Sequence, residues 1–457
     1  MRIRIVFVFL FVLLCIQTIF AATRHYYVAA EDVVWDYAPS LMDLTMGRPI
    51  PDPWAQKIKW NKTRYIEYTD STFSVRKPQP AWLGILGPII RAKVGDSIVI
   101  DFLNRSSRPH SMHPHGLRYD KDNEGALYLP GGAGSAVRPG GRFTYHWLAD
   151  ESSGPGKADP SSLVWWYHGG TDEPVEANTG LLGPIIVTAK GKARPDGSPK
   201  DVDREFVALF MVFDQLGGKP NGLYYAINGY IFGNLPGLVM KQAERVRWYL
   251  LGMGNEIDLH TPHWHGRVVT YGNRHTDVIE LMPGSMAVAD MKADNPGTWL
   301  FHCHVAEHME GGMMATYTIY QPQECSSPIQ LQSADFWQTP GKFHVRVKNV
   351  GTKPISSMSV MYDHLMAPLY RRRPFDNLWN WNTPLRPGQE QTFEVPGYPH
   401  GAENIQAWIL FPHLVVFADG TIWQGKEGNG CFNVFWRDKQ HPDMPVLPPL
   451  FIQTGDD

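Results

Sequence analysis

Nine of the chain's 18 histidines stand in four short clusters. These are His113-Pro114-His115-Gly116, His168-Gly169-Gly170, His260-Thr261-Pro262-His263-Trp264-His265-Gly266, and His302-Cys303-His304 followed by His308 and Met313. In a strand a His-x-His pair puts both imidazoles on one face, because side chains alternate with a period of two. One face can then hold neighbouring metal ions. His260, Cys303, His308 and Met313 supply two imidazoles, a thiolate and a distant thioether, the donor set of a blue (type 1) copper centre that passes single electrons with little rearrangement. Zinc is the alternative for a His/Cys group, but a structural zinc closes its shell with four ligands and leaves the other six histidines unexplained. His302 and His304 point away from the Cys303 side chain, so they can ligate other metals a short covalent path from the sulfur. That wiring suits a protein that collects single electrons and spends several at once.

The elements that carry these residues read as strands. The chain has 457 residues with Gly 43 and Pro 37, a balance that favours short strands and turns over long helices. Lys+Arg 42 against Asp+Glu 45 leaves a net charge of -3, with no basic field for nucleic acid. The run Gly87–Phe102, broken by Gly95-Asp96, returns in outline at Leu235–Leu250, and each copy leads into a histidine cluster. Two homologous β-domains follow, at 23–190 and 203–322, joined by a breaker-rich linker at 191–202. From 323 to 457 the alternation in Phe343–Lys348 predicts a further β-sandwich (Ig-like) module. Arg2 and Arg4 before an apolar run, with Ala21 and Ala22 after it, predict a secretory signal peptide at 1–22 that carries Cys15 away. No other segment offers a transmembrane anchor, so a secreted or periplasmic protein is expected, where Cys325 and Cys431 can pair.

At these histidines the sequence resembles the multicopper oxidases, in particular the ceruloplasmin/hephaestin branch. Ala226-Ile227-Asn228-Gly229, Met253–His260 and His302-Cys303-His304-Val305 are similar to the branch's last cupredoxin domain, and Thr179–Ile186 with His113-Pro114-His115-Gly116 to its first. The resemblance covers residues 24 to 322. It implies an all-β fold of two cupredoxin-like Greek-key domains ahead of the C-terminal β-sandwich. It also implies type 1 copper at His260, Cys303, His308 and Met313, and type 2 copper at His113 and His263. One type 3 copper falls to His115, His168 and His304, the other to His265 and His302. The expected activity is one-electron oxidation of a small reducing substrate or metal ion, with electrons passing through His302-Cys303-His304 to a cluster that reduces dioxygen.

Two departures qualify that expectation. The family's second motif is His-x-His, whereas this chain has Gly170 at the second histidine, so one type 3 copper lacks an imidazole unless His25, His110 or His146 supplies it. The alternative reading is an electron-transfer protein or reductase, for instance of nitrite, with type 1 and type 2 copper and an incomplete type 3 site. On the donor side, the iron-binding carboxylate and histidine of the ferroxidase branch become Pro220 and Tyr225, while Glu307 keeps an acid. One hard oxygen ligand makes a weak iron site, which turns the expectation toward phenolic or other outer-sphere donors. Alignment of the two domains sets Gly169 at the position of Cys303 and Pro174 at that of His308, so only the second domain has a blue site. The cluster then needs histidines from both domains, and two-domain relatives assemble it between chains, which predicts a homotrimer.

Overall fold

The computed structural model describes residues 21–255, 257–321, 327–334, 342–366, 370–396, 405–424 and 433–436. Most of the expected leader, and Cys15, Cys325 and Cys431 with it, lie outside the described residues. Among the described residues no helix is long and apolar enough to cross a membrane.

In the first domain, strands Lys59–Tyr68, Thr23–Asp36, Ser97–Asn104 and Arg142–Leu148 form one sheet, and Ile90–Lys93, Leu182–Thr188, Ser162–His168 and His113–Pro114 form the facing one. The second domain repeats the plan. Leu223–Ile227, Arg204–Asp214, Arg245–Gly252 and Met286–Lys292 lead one sheet, and Val239–Lys241, Met314–Tyr320, Gly297–Cys303 and Pro262–Trp264 make the other. The repeat extends to register. His113 lies opposite His168 in the first domain, and His263 opposite His302 in the second. Among the described residues the C-terminal region holds two further antiparallel sheets, one of Ile329–Ala334, Lys342–Asn349 and Glu390–Pro396, the other built on Ile355–Met366 and Ile405–Phe417.

A continuous apolar strand must be covered on both faces, and Arg204–Asp214 shows why its sequence does not alternate in polarity. Phe206, Ala208, Phe210 and Val212 enter the second domain's own core with Trp248 and Phe301. Val207, Leu209, Met211 and Phe213 enter a separate core between the domains, packed with Tyr37, Leu83, Trp166 and Ile186. Strand Ser162–His168 divides its side chains in the same way, Val164 and Trp166 to the joint and Tyr167 to the first core. Polar groups register the joint. The Arg247 guanidinium, 2% exposed, forks onto Asp290 at 2.7 and 2.8 Å and donates to Ser161 and Ser162 across the boundary. Asn228-Gly229 forms a two-residue hairpin turn with positive φ at both positions, which suits Asn-Gly. Its Asn228 side chain donates to the Trp82 and Val207 carbonyls. The two domains are therefore held in one relative orientation.

Candidate metal centres

Strand Gly297–Cys303 ends at Cys303, and a five-residue helix, α1 (Ala306–Glu310), turns the chain back so that His308 faces the sulfur. His260, Cys303 and His308 converge, their ligand atoms all within 4.8 Å of one another. The Cys303 sulfur lies 3.5 Å from His308 Nδ1 and 3.9 Å from His260 Nδ1, and those two nitrogens are 3.2 Å apart. His260 Nε2 faces Asp258 at 3.2 Å, which fixes the ring with Nδ1 toward the sulfur. Asp258, fully buried, is fixed by the Val212 and Asn255 amides at 2.6 and 3.0 Å. Burial pushes the Cys303 thiol up, but hydrogen bonds from His260 and His308 and the Thr261 and Val305 amides bring it down to about 6. The group is therefore a thiolate at neutral pH, the form that binds metal. Met313 is fully buried in the same core, and its carbonyl accepts from the Cys303 amide at 3.1 Å.

Two all-histidine groups form at the sheet ends. His263, His265 and His302 converge in the second domain, and His113, His115 and His168 in the first. The backbone sets the tautomers: His302 Nδ1 donates to the Cys303 carbonyl at 2.8 Å, His168 Nδ1 to the Gly169 carbonyl at 2.9 Å, and His113 Nδ1 to the Glu124 carbonyl at 2.6 Å. Each thus turns a bare Nε2 toward its neighbours. His302 Nε2 lies 3.1 Å from His265 Nε2, and His168 Nε2 lies 3.0 Å from His115 Nε2. In each pair at least one nitrogen is a bare acceptor, and ring nitrogens that face one another at this distance are placed to ligate a shared cation. Burial first, then the neighbouring imidazoles, hold His115 and His302 down at about 4, so both are neutral ligands at pH 7. His304 joins none of these groups, although its ring stands 5.3 Å from that of His263. His265 and His304 are exposed. Among the described residues the two three-histidine groups form separately, one in each domain.

None of the three replacement candidates joins the Gly170 side. His25 pairs with Asp101 at 3.0 Å, His146 is exposed on its strand, and His110 is buried against Glu176. The space is also taken. A Cβ at Gly170 would overlap the Gly125 carbonyl and lie 3.1 Å from the Ala126 Cα, because Ala126 bridges Gly170. One expected equivalence is corrected. Met313 N donates to His308 O at 2.9 Å, and in the first domain Leu181 N donates to Glu176 O at 3.1 Å, so Glu176, not Pro174, stands where His308 does. The first domain's loop is longer by two residues, a length that alignment on the histidines does not reveal.

At the donor face, Tyr225 packs against His308 with the rings tilted and their centroids 5.2 Å apart, and donates to Glu307 at 2.8 Å. Glu307 itself is exposed. Of the methionines in the second domain, Met291 is buried in its core and Met286 and Met314 pack against the domain joint, while Met282 is 59% exposed. Sequence reasoning passed over Asp258 and the His110–Glu176 pair. Asp258 stands two residues before a ligand histidine, and His110-x-x-His113-x-His115 repeats the spacing of His260-x-x-His263-x-His265.

A family profile described as multicopper oxidase matches residues 66–192, and a second of the same description matches residues 209–323. Hephaestin of Homo sapiens is 38% identical over 68% of this chain and 30% of its own length. Ferroxidase HEPHL1 of Mus musculus is 37% identical over 65% of the chain and 29% of its own. Ceruloplasmin of Homo sapiens is 33% identical over 80% of the chain and 36% of its own. The chain thus spans about a third of the length of these relatives, 29% to 36%. A solved structure described as a multicopper oxidase aligns with 65% of this chain and 89% of its own, at 24% identity and a TM-score of 0.48.

Proposed function

The chain belongs to the multicopper oxidase family, and on that premise we propose a secreted or periplasmic copper oxidase that takes single electrons from a small reducing donor and delivers them to dioxygen. The observation that carries this reading is the convergence of His260, Cys303 and His308 one residue away from His302 and its three-histidine group. In this reading His260, Cys303, His308 and Met313 hold type 1 copper, and His113 and His263 the type 2 ion. His115, His168 and His304 hold one type 3 ion, His265 and His302 the other. Copper in these sets supplies one-electron redox chemistry at the thiolate and reduction of dioxygen at the histidines.

The chain's own residues do the rest. Asp258 orients His260, the two imidazoles keep Cys303 ionised, and the peptide bonds on either side of Cys303 give a covalent route to His302 and His304. Tyr225 occupies one Glu307 oxygen and covers His308, which disfavours direct coordination of ferrous ion and favours a phenolic or other outer-sphere donor. The two histidine groups form separately, one in each domain, and His265 and His304 face solvent. In this reading a neighbouring copy brings its first-domain histidines to the second domain's face, and three copies close the ring as a homotrimer. Residues 23–190 and 203–322 are the two cupredoxin units of this assembly, with 323–457 as an added module.

The crowding at Gly170 favours a second reading, a type 1 and type 2 copper protein that carries electrons or reduces an acceptor such as nitrite. One experiment separates them: sedimentation of the copper-loaded protein with a copper count. About four ions per chain in a blue trimer supports the oxidase, and about two supports the second reading. A monomer that retains full copper sinks the shared cluster.

A further inference from the structure

The repeat between the domains extends to a site that lacks its metal chemistry. Cys303 N donates to Met313 O at 3.1 Å and Gly169 N to Leu181 O at 2.9 Å, which sets Gly169 and Leu181 at the positions of Cys303 and Met313. His110 stands three residues before His113 as His260 does before His263, and Glu176 takes the place of His308. The blue-site positions of the first domain are therefore His110, Gly169, Glu176 and Leu181. Two metal donors are gone. Glu176 is instead hydrogen-bonded to His110 Nδ1 through the ring nitrogen that in His260 faces the thiolate. Both side chains are buried, His110 4% and Glu176 3% exposed. A Cβ at Gly169 would press into the Glu176 carboxylate, so the carboxylate fills the room that a cysteine side chain would need.

We propose that Glu176 does in the first domain, without a metal, what the metal does in the second: it ties the ligand-bearing strand ends together and so positions His113 and His168. The proposal rests on the copper-cluster reading above. One Glu176 oxygen engages His110, three residues before His113. The other accepts from the Thr171 and Asp172 amides at 2.8 and 3.2 Å, three and four residues after His168. His110 Nε2 is buried with no hydrogen-bond partner among the described residues, so Glu176 makes the ring's hydrogen bond. Ser111 extends the tie by donating to the Gly125 carbonyl at 2.6 Å and accepting from the Gly170 amide at 3.0 Å. Outer contacts of this kind hold imidazoles for a metal, and their loss typically weakens metal affinity about ten- to a hundred-fold.

The test compares full-length Glu176→Ala and Glu176→Gln with the parent protein. In the copper-free proteins, hydrogen exchange by mass spectrometry should rise about ten-fold at residues 168–172 in the alanine variant and stay unchanged around His263 and His302. After loading with copper alone, that variant should keep the blue band of Cys303 but lose copper per chain and the non-blue electron spin resonance signal. Glutamine, which can still accept the two amide hydrogens and bridge to His110, should restore both. Unchanged exchange at 168–172, or faster exchange with full copper retained, overturns the proposal. Loss of the blue band together with the non-blue copper in both variants also overturns it, since the effect would then be global. A parent protein without a blue band would count against the copper reading, and the exchange data would still decide whether Glu176 holds the loop.

Discussion

An imidazole at Gly170 meets backbone before it meets metal. The Gly125 carbonyl and Ala126 already occupy the space of its Cβ, and Leu127 N donates to Gly170 O at 2.9 Å. Gly170→His is therefore expected to leave copper per chain unchanged and to cost about 1–3 kcal/mol through displaced backbone. Copper analysis and a urea titration check this, and a gain of copper would show that the 125–126 segment yields. At the same scale the type 1 donors were readable because each has a chemically rare side chain at a telling spacing. Asp258 was not, since a carboxylate two residues from a histidine is common in sequence and only its burial beneath Val212 and Asn255 gives it work.

Elements earn their role through what covers them. Strand Arg204–Asp214 reads as a single apolar run, and the sequence shows burial on both faces without showing against what. The odd positions turned out to build the joint with the first domain. Leu209→Ala, at a fully buried position of that joint, should destabilise by about 2–5 kcal/mol and lower the unfolding midpoint of both cupredoxin units together. Calorimetry checks it, and a midpoint shift confined to one unit would mean that the domains are not coupled through this core. Helix α1 and its first-domain counterpart, Glu173–Thr179, make the same point about length. Two extra residues bring Glu176 to the His308 position, and only the hydrogen bonds to Leu181 and Met313 reveal it.

Across the whole molecule the histidine faces carry a stability cost that depends on pH. His115 and His302 are held at about 4 in the fold, chiefly by burial and then by neighbouring imidazoles, against an ordinary value of 6.5. Between those values the unfolded chain binds more protons than the folded one, so stability rises with pH across that window. The copper-free protein should accordingly hold its melting temperature above pH 6.5 and lose it progressively toward pH 4. Melting curves at stepped pH check this, and a temperature independent of pH over that range would show that the imidazoles are not desolvated. Assembly belongs to this scale too. The joint fixes the two domains, and the three-histidine groups form separately, one in each.

The sequence alone determined the metal chemistry, the two-fold β repeat and the family resemblance. Donor type and period-two spacing are local properties that a strand converts directly into a shared face. It also showed that one imidazole is absent at Gly170. Only the tertiary structure decided which replacements fail, what fills the gap, and which residue stands opposite His308. Those answers depend on contacts between segments far apart in the chain, such as Gly125 with Gly170 and His110 with Glu176, which no local pattern records.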